Sequence, residues 1–195
     1  MKTHKPWRTV GGNLLRVAWL RGVLAGSLAM SLVAAPLPPP ARLTDQGVEF
    51  ECLGRAAFRW MRVIHVYDAV LHVGAGRSRS LPFTGSPLRL EIRYRRGFTA
   101  EEIVRGGDAL LRRNVSAETF QSLRPRLDRL NRAYRDIRPG DRYTLTYLPG
   151  RGTTLRLNDT ELVTIEGADF AEAYFRIWLG DDPISPALRD QLLGR

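Results

Sequence analysis

LGRAAFRWMRVIHVYDAVLHV, residues 53–73, is almost continuous in β-forming apolar residues, yet Arg59, His65 and Tyr67 interrupt it at even spacings. Read with a period of two, the odd positions run Arg59, Met61, Val63, His65, Tyr67, Ala69, Leu71 and Val73. One face that is otherwise apolar thus holds a cation, an imidazole and a phenol. A guanidinium on such a face needs a partner, because an unpaired buried charge costs on the order of several kcal/mol. The partner is either a carboxylate of the chain, with Glu91 and Glu166 the candidates, or the anionic group of a ligand. Sixteen strand residues would span roughly 50 Å, so a bend or bulge is expected inside the run, and the shared face holds only where parity survives it.

Outward from this stretch, the N-terminal end has a different character. Lys2, Lys5, Arg8, Arg16 and Arg21 precede the apolar run GVLAGSLAMSLVAAPL at 22–37, no acid occurs before Asp45, and three prolines follow at 38–40. A charged segment, a short apolar segment and small residues are the pattern of an export signal, so residues 1–41 are expected to be a signal with a Pro-rich linker and 42–195 the folded domain. At about 16 residues the apolar run falls short of the ~20 that span a bilayer, and an uncleaved N-terminal anchor is the alternative. The expected location is periplasmic or secreted, with the membrane met only through this signal.

Of the 30 Lys and Arg, five lie in residues 1–41, which leaves 25 arginines against 20 acids and lowers the formal charge from +10 to +5. These arginines are scattered among Asp and Glu rather than gathered into a stripe, which argues against a nucleic-acid partner. Cys52 is the single cysteine, so no disulfide can form within the chain. Val48, Phe50 and Cys52 alternate with Glu49 and Glu51, as in a half-buried strand with Cys52 facing in.

The order of elements is strands, helices, strands, helices. Strands are expected at 47–53, at 57–73 with its bend, and at 87–95, where Leu88, Leu90, Ile92 and Tyr94 alternate with charged residues. Thr99 and Glu102 have capping-box spacing, starting a helix toward Asn114 across Gly106-Gly107. Ser116 opens a long amphipathic helix through Phe120, Leu123, Leu127, Leu130, Tyr134 and Ile137, with Pro125 at a kink or early turn. Three strands then form a meander at 143–147, 153–157 and 160–165, with turns at 149–152 and 158–159. A helix carrying Phe170, Ala173, Tyr174, Ile177 and Trp178 stops at Gly180, and Ser185-Pro186 caps a last one. The class is α+β: a mostly antiparallel sheet with helices on a face, and a cleft between them as the natural ligand site.

Three stretches together resemble the bacterial branch of the chalcone isomerase-like superfamily. They are residues 53–73 with Arg59 ahead of Val66-Tyr67; DIRPGD at 136–141 leading to a Tyr/Leu-rich strand and Pro149-Gly150; and FAEAYFRIWLG at 170–180 followed by Pro183, Leu188 and Leu192-Leu193-Gly194. The resemblance covers about residues 43–195 and implies an open-faced β-sandwich, a large antiparallel sheet layered with helices around a cleft. It further implies either the closure of a chalcone to a flavanone or the binding of a fatty acid without catalysis. A strand arginine and a nearby tyrosine serve both; Arg59 and Tyr67 match them best, with Arg55 the competing arginine. The enzymes place a tyrosine and an asparagine near the start of the helix that opens here at Thr99. GFTAEEIVRG at 97–106 has neither.

The expected site is therefore Arg59, Tyr67 and His65 around a carboxylic acid or phenolic ligand. A planar guanidinium and a phenol can together satisfy a carboxylate. His65 and His72 lack a Cys or second-histidine partner at ligand spacing, so neither a metal nor another cofactor is expected. No nucleophile elbow, phosphate loop, dinucleotide fingerprint or zinc motif occurs. Ser116 and Ser185 read as helix caps. The favoured reading is a non-catalytic binder of a fatty or other amphipathic acid. The alternatives are an intramolecular lyase of the chalcone isomerase type, with Arg59 stabilising charge and Tyr67 or His65 as acid or base, and a structural or assembly protein in which an acid such as Glu91 or Glu166 is paired to Arg59.

Overall fold

Residues 53–73 do not stay in one strand. The computed structural model describes residues 41–76 and 85–195, and its strands are β1 (Arg42–Asp45), β2 (Val48–Trp60), β3 (Ile64–Gly74), β4 (Leu88–Tyr94), β5 (Arg142–Leu148), β6 (Gly152–Leu157) and β7 (Thr160–Ile165). The expected bend is a full reversal at 61–63, where Met61 and Arg62 both take left-handed backbone angles, φ 50° and 66°. The expected break between 53 and 57 is absent: β2 runs through it, absorbing one extra residue between Cys52 and Gly54. All seven strands pair antiparallel with their sequence neighbours, β1 through β7. The proposed N-terminal signal lies outside the described residues.

Strand pairing decides which side chains meet the helices. Leu88, Leu90 and Ile92 on β4 pair with Val73, Leu71 and Ala69 on one side and with Tyr147, Leu145 and Tyr143 on the other. Together with Leu155 and Ile165 they form the inner face of the core. Four helices pack on that face: α1 (Ala100–Asn114), α2 (Ala117–Ala133), α3 (Ala168–Leu179) and α4 (Pro186–Leu192). Phe120, Leu123, Leu127 and Leu130 of α2 and Phe170, Tyr174 and Trp178 of α3 are buried there, as their helical spacing dictates.

Helix starts follow capping chemistry. Thr99 and Glu102 satisfy each other's backbone N–H groups in a capping box, Ser116 accepts from the Thr119 N–H, and Ser185 accepts from the Leu188 N–H ahead of Pro186. Two helical expectations need correction. The helix expected to carry Tyr134 and Ile137 ends at Ala133; both side chains are buried, but Tyr134 is extended and Ile137 bridges to Phe98. Of the two places open to Pro125, an early turn or a kink, the structure puts it inside α2, past the first turns. Gly180 does end α3, though not with a left-handed turn: its φ is −76°, and a Cβ there would fall 2.5 Å from Asn114 Oδ1 and 2.7 Å from the Arg176 carbonyl oxygen.

The face away from the helices is polar, and the sheet curls over it. Although β1 is an edge strand, Asp45 accepts from Arg89 of β4 at 3.1 Å, Thr146 of β5 at 2.9 Å and Arg156 of β6 at 2.7 Å. These bonds draw the β1–β2 turn across the sheet, where Arg151 also donates to the Gln46 carbonyl. Phe50, Val70 and His72 are buried beneath it. Cys52 pairs with His72 on this same side and is half-buried, so its inward-facing direction is toward the polar face and not the helical core.

Burial alone would raise the Asp45 pKa, but the hydrogen bonds from Thr146 and Arg156 and the charges of Arg156 and Arg89 together hold it below its ordinary value of 3.8. A depressed folded-state pKa gives stability that is complete above the unfolded value and disappears as pH falls through the folded one. Asp45→Asn is expected to cost about 3–5 kcal/mol near neutral pH, as for loss of one partner of a buried ion pair. In urea titrations the gap between wild type and variant should narrow as pH drops below 3.8; a gap independent of pH, or below about 1 kcal/mol, would remove the clamp role.

Close packing of α4 on β2 makes a second prediction. A Cβ on Gly54 would fall 2.3 Å from the Gln191 carbonyl oxygen and 2.4 Å from that of Leu192. Gly54→Ala must push the helix off the strand and is expected to cost at least about 1–3 kcal/mol. An unchanged Tm would show that α4 is not seated there.

Candidate functional site

Within the β2–β3 hairpin, Phe58 pairs with Tyr67 and Arg59 with His65, with a register shift between the two pairs. Directly paired residues share a face, while Phe58 and Arg59, adjacent on one strand, point to opposite faces. His65 and Tyr67 therefore lie on opposite faces despite their spacing of two. The extra residue, Val66, joins Tyr67 in the buried core. The structure does not bring the three expected site residues together: Tyr67 faces the helices, while Arg59 and His65 face away.

The premise of a buried guanidinium also changes. Arg59 is exposed and forms no ion pair among the described residues. Glu91, suggested as its partner, lies instead 3.2 Å from Arg89 and 3.9 Å from Arg93 and Arg142, and Glu166 lies 3.8 Å from Arg129. Arg55 precedes the inward-facing Ala56 and pairs with Val70, so it too belongs to the outer face. His65 Nε2 sits 2.7 Å from Asp68 Oδ1, and Arg95 Nε donates to Asp68 Oδ2 at 2.7 Å. This half-buried triad was not legible in the run, because Asp68 falls on its even positions and Arg95 comes from the next strand.

On the helix side Tyr67 stands at the head of an aromatic series. Its ring centroid is 5.1 Å from Phe58 and 5.8 Å from Tyr94; Tyr94 meets Phe98 at 5.8 Å and Tyr143 at 6.2 Å; and Tyr143 meets Tyr134 at 5.0 Å. Phe170, Tyr174 and Trp178 continue it along α3. Tyr94 and Trp178 read in the sequence as core residues, and they are, but they also enclose the Tyr67 ring and hydroxyl.

The tyrosine hydroxyls of this interior differ in one respect. Tyr134 and Tyr174 hydrogen-bond to each other at 2.8 Å. Tyr143 accepts from the Arg135 N–H at 2.8 Å and donates to the Arg135 carbonyl at 3.0 Å. Tyr67 Oη is fully buried with no hydrogen-bond partner among the described residues; the Trp178 side chain approaches it without reaching hydrogen-bond geometry. Burial drives the Tyr67 phenol far above its ordinary range, with Trp178 drawing it back only partly, and no charged side chain acts on it. It stays protonated at any physiological pH, a donor with nothing to donate to. An unmet buried polar group of this kind costs about 1–3 kcal/mol.

The sheet order and the helical layer have counterparts among known proteins. The crystal structure of a fatty-acid binding protein from Arabidopsis thaliana superposes with a TM-score of 0.59 at 13% identity, over 79% of this chain and 90% of that one, which is a likeness of fold. Among curated proteins no sequence matches this chain. The family model described as chalcone isomerase-like matches residues 35–194, and on that match, together with the antiparallel sheet and its helical layer, the chain belongs to the chalcone isomerase-like family.

Proposed function

We propose that the protein is a non-catalytic binder of a fatty or other amphipathic carboxylic acid, held on the helix side of the sheet with its polar end at Tyr67. The observation that carries this is the buried Tyr67 hydroxyl without a partner in an otherwise aromatic interior. A ligand oxygen accepting from it would remove the cost of the unmet donor, and the rings of Phe58, Tyr94 and Phe98 offer apolar surface to an alkyl or aryl body. That the Arabidopsis structural relative is a fatty-acid binding protein is in keeping with this chemistry.

Because no charged side chain acts on Tyr67, the acid is read as binding there in its neutral form, which makes affinity rise as pH falls toward the acid's own pKa. Arg59 and His65 enter this reading only from the outer face of the hairpin. An acid–base role for His65 finds less support: its ring is engaged by Asp68 on the face opposite Tyr67.

Titration calorimetry with a series of fatty acids tests the proposal. Tyr67→Phe is expected to weaken binding by about 0.5–1.5 kcal/mol, one hydrogen bond, while leaving thermal stability unchanged or raised, since it deletes an unmet donor. A purely structural tyrosine would show the reverse. Arg59→Ala should alter affinity less than Tyr67→Phe; the opposite ranking would restore the arginine as the anion hook. If wild type binds no acid the proposal fails, and if it cyclises a chalcone above the spontaneous rate the isomerase reading replaces it.

The binder is further proposed to act after export, on the strength of the basic and short apolar segments in residues 1–41. N-terminal sequencing of the mature protein is expected to begin near residues 36–42. A soluble form retaining Met1 would exclude export with cleavage.

A further inference from the structure

Two large apolar side chains are exposed among the described residues, Met61 at 70% and Val63 at 81%, and both lie at the tip of the β2–β3 hairpin. Trp60 and Ile64, the last pair of the hairpin, pack partly against the core and hold this tip in place. Exposed arginines surround it. Arg59 and Arg62 belong to the hairpin itself, and Arg95 N donates to the Val66 carbonyl at 2.8 Å, which brings the Arg95-Arg96 segment alongside. Arg138 lies in the neighbouring loop, tied to β4 by the bond from Gly140 N to the Tyr94 carbonyl at 2.8 Å. Against Arg59, Arg62, Arg95, Arg96, Arg138 and Arg142 stand fewer carboxylates: Asp68, paired with Arg95 and His65, Asp159, paired with Arg142, and Asp136 and Asp141, which keep their charge while bonded to backbone N–H groups and Asn158. Arg59, Arg62 and Arg96 form no ion pair among the described residues, so this end presents a net positive field around two aliphatic side chains.

The turn itself is built against turn chemistry. Positions of a hairpin turn that take left-handed backbone favour Asn or Gly. The β1–β2 turn uses Gln46-Gly47 and the β6–β7 turn places Asn158 at φ 55°, whereas the β2–β3 turn forces Met61 and Arg62 into that region. A bulky apolar residue and a cation held in a disfavoured conformation, with neither buried, give the fold nothing in return. Positions that break a local rule without structural gain are candidates for function.

We propose that this hairpin tip docks the protein on an anionic lipid surface, Met61 and Val63 entering the headgroup region while Arg59, Arg62 and Arg96 meet the lipid charges. Scale favours lipid over a protein partner. A stable protein interface takes about 800 Å² from each side, far more than two side chains supply, whereas a bilayer needs only a few apolar residues and cations, each arginine contributing about a factor of five. The inference stands apart from what occupies the interior at Tyr67, and it adds a membrane contact that does not depend on the N-terminal segment.

The test uses the full chain carrying Cys52→Ser, with Val63→Cys or, as a remote control on α2, Ser122→Cys, each labelled with an environment-sensitive fluorophore. Residues 1–41 are common to both, so the difference between the labels reads the hairpin alone. With phosphatidylcholine vesicles containing phosphatidylglycerol, the emission of the label at 63 should shift to the blue and rise several-fold, while that at 122 stays constant. Replacing Arg59 and Arg62 by Gln should raise the lipid concentration needed for half of this response about 30-fold. A label at 63 that stays in water while the protein sediments with vesicles would overturn the proposal, as would an equal response to pure phosphatidylcholine. A blue shift without any lipid would assign the tip to a second copy of the chain instead.

Discussion

One register shift in the β2–β3 hairpin governs which side chains enter the aromatic interior. With Phe58 opposite Tyr67 and Arg59 opposite His65, a single extra residue at Val66 exchanges the two faces of the hairpin end. A side-chain period of two makes such a slip total for the strand that carries it, so His65 and Ile64 of β3 change sides while β2 keeps its alternation. Without the bulge, and with Phe58 still opposite Tyr67, His65 would share the inner face with Tyr67 and the interior would contain an imidazole, whereas Arg59, next to the inward Phe58 on β2, points outward in either case. With it, Tyr67 alone enters the aromatic layer, and the cation and imidazole join Asp68 and Arg95 on the other side. Bulges of this kind re-aim side chains next to binding sites in many sheets.

The two faces of the sheet solve different physical problems. Against the helices the sheet buries Leu, Ile, Phe and Tyr side chains, where the hydrophobic effect acts without direction. On the other face Asp45, Arg89, Thr146 and Arg156 form a directional network that draws an edge strand across the middle of the sheet. Curling in this way also shelters Phe50 and His72, which no helix covers. A meander of seven strands would otherwise leave one broad face open to water, and a buried charge cluster is stable only because its members satisfy one another.

Hydrogen bonding inside the helical layer separates Tyr67 from the tyrosines around it. Tyr134, Tyr143 and Tyr174 all have their hydroxyls satisfied by one another or by the backbone, which makes them stabilising at no polar cost. Tyr67 carries the same ring into the same layer and leaves its donor unmet. Family membership does not by itself separate an enzyme from a carrier, since function resides in the groups at the site. What those groups offer here is a neutral donor in an apolar wall, suited to holding an oxygen atom, with the imidazole that could move a proton turned away from it.

Much of the fold was legible in the residues themselves. Alternation of Leu88, Leu90, Ile92 and Tyr94, the capping pairs at Thr99, Ser116 and Ser185, and the three-four spacing of Phe170, Tyr174 and Trp178 are local signals, and local energetics suffice to read them. The motifs that resemble the chalcone isomerase-like family were likewise visible, because they are sequence patterns. Three features were not. The reversal at 61–63 lacks Asn or Gly, so no turn signal marked it; the end of α2 at Ala133 follows from Ile137 bridging to Phe98, a contact between distant segments. Least visible was the direction of His65 relative to Tyr67, set by a one-residue bulge whose position depends on how β3 is held between β2 and β4. Side-chain type is a property of the chain, but the face a side chain occupies in a bulged strand is a property of its neighbours, and only tertiary pairing decides it.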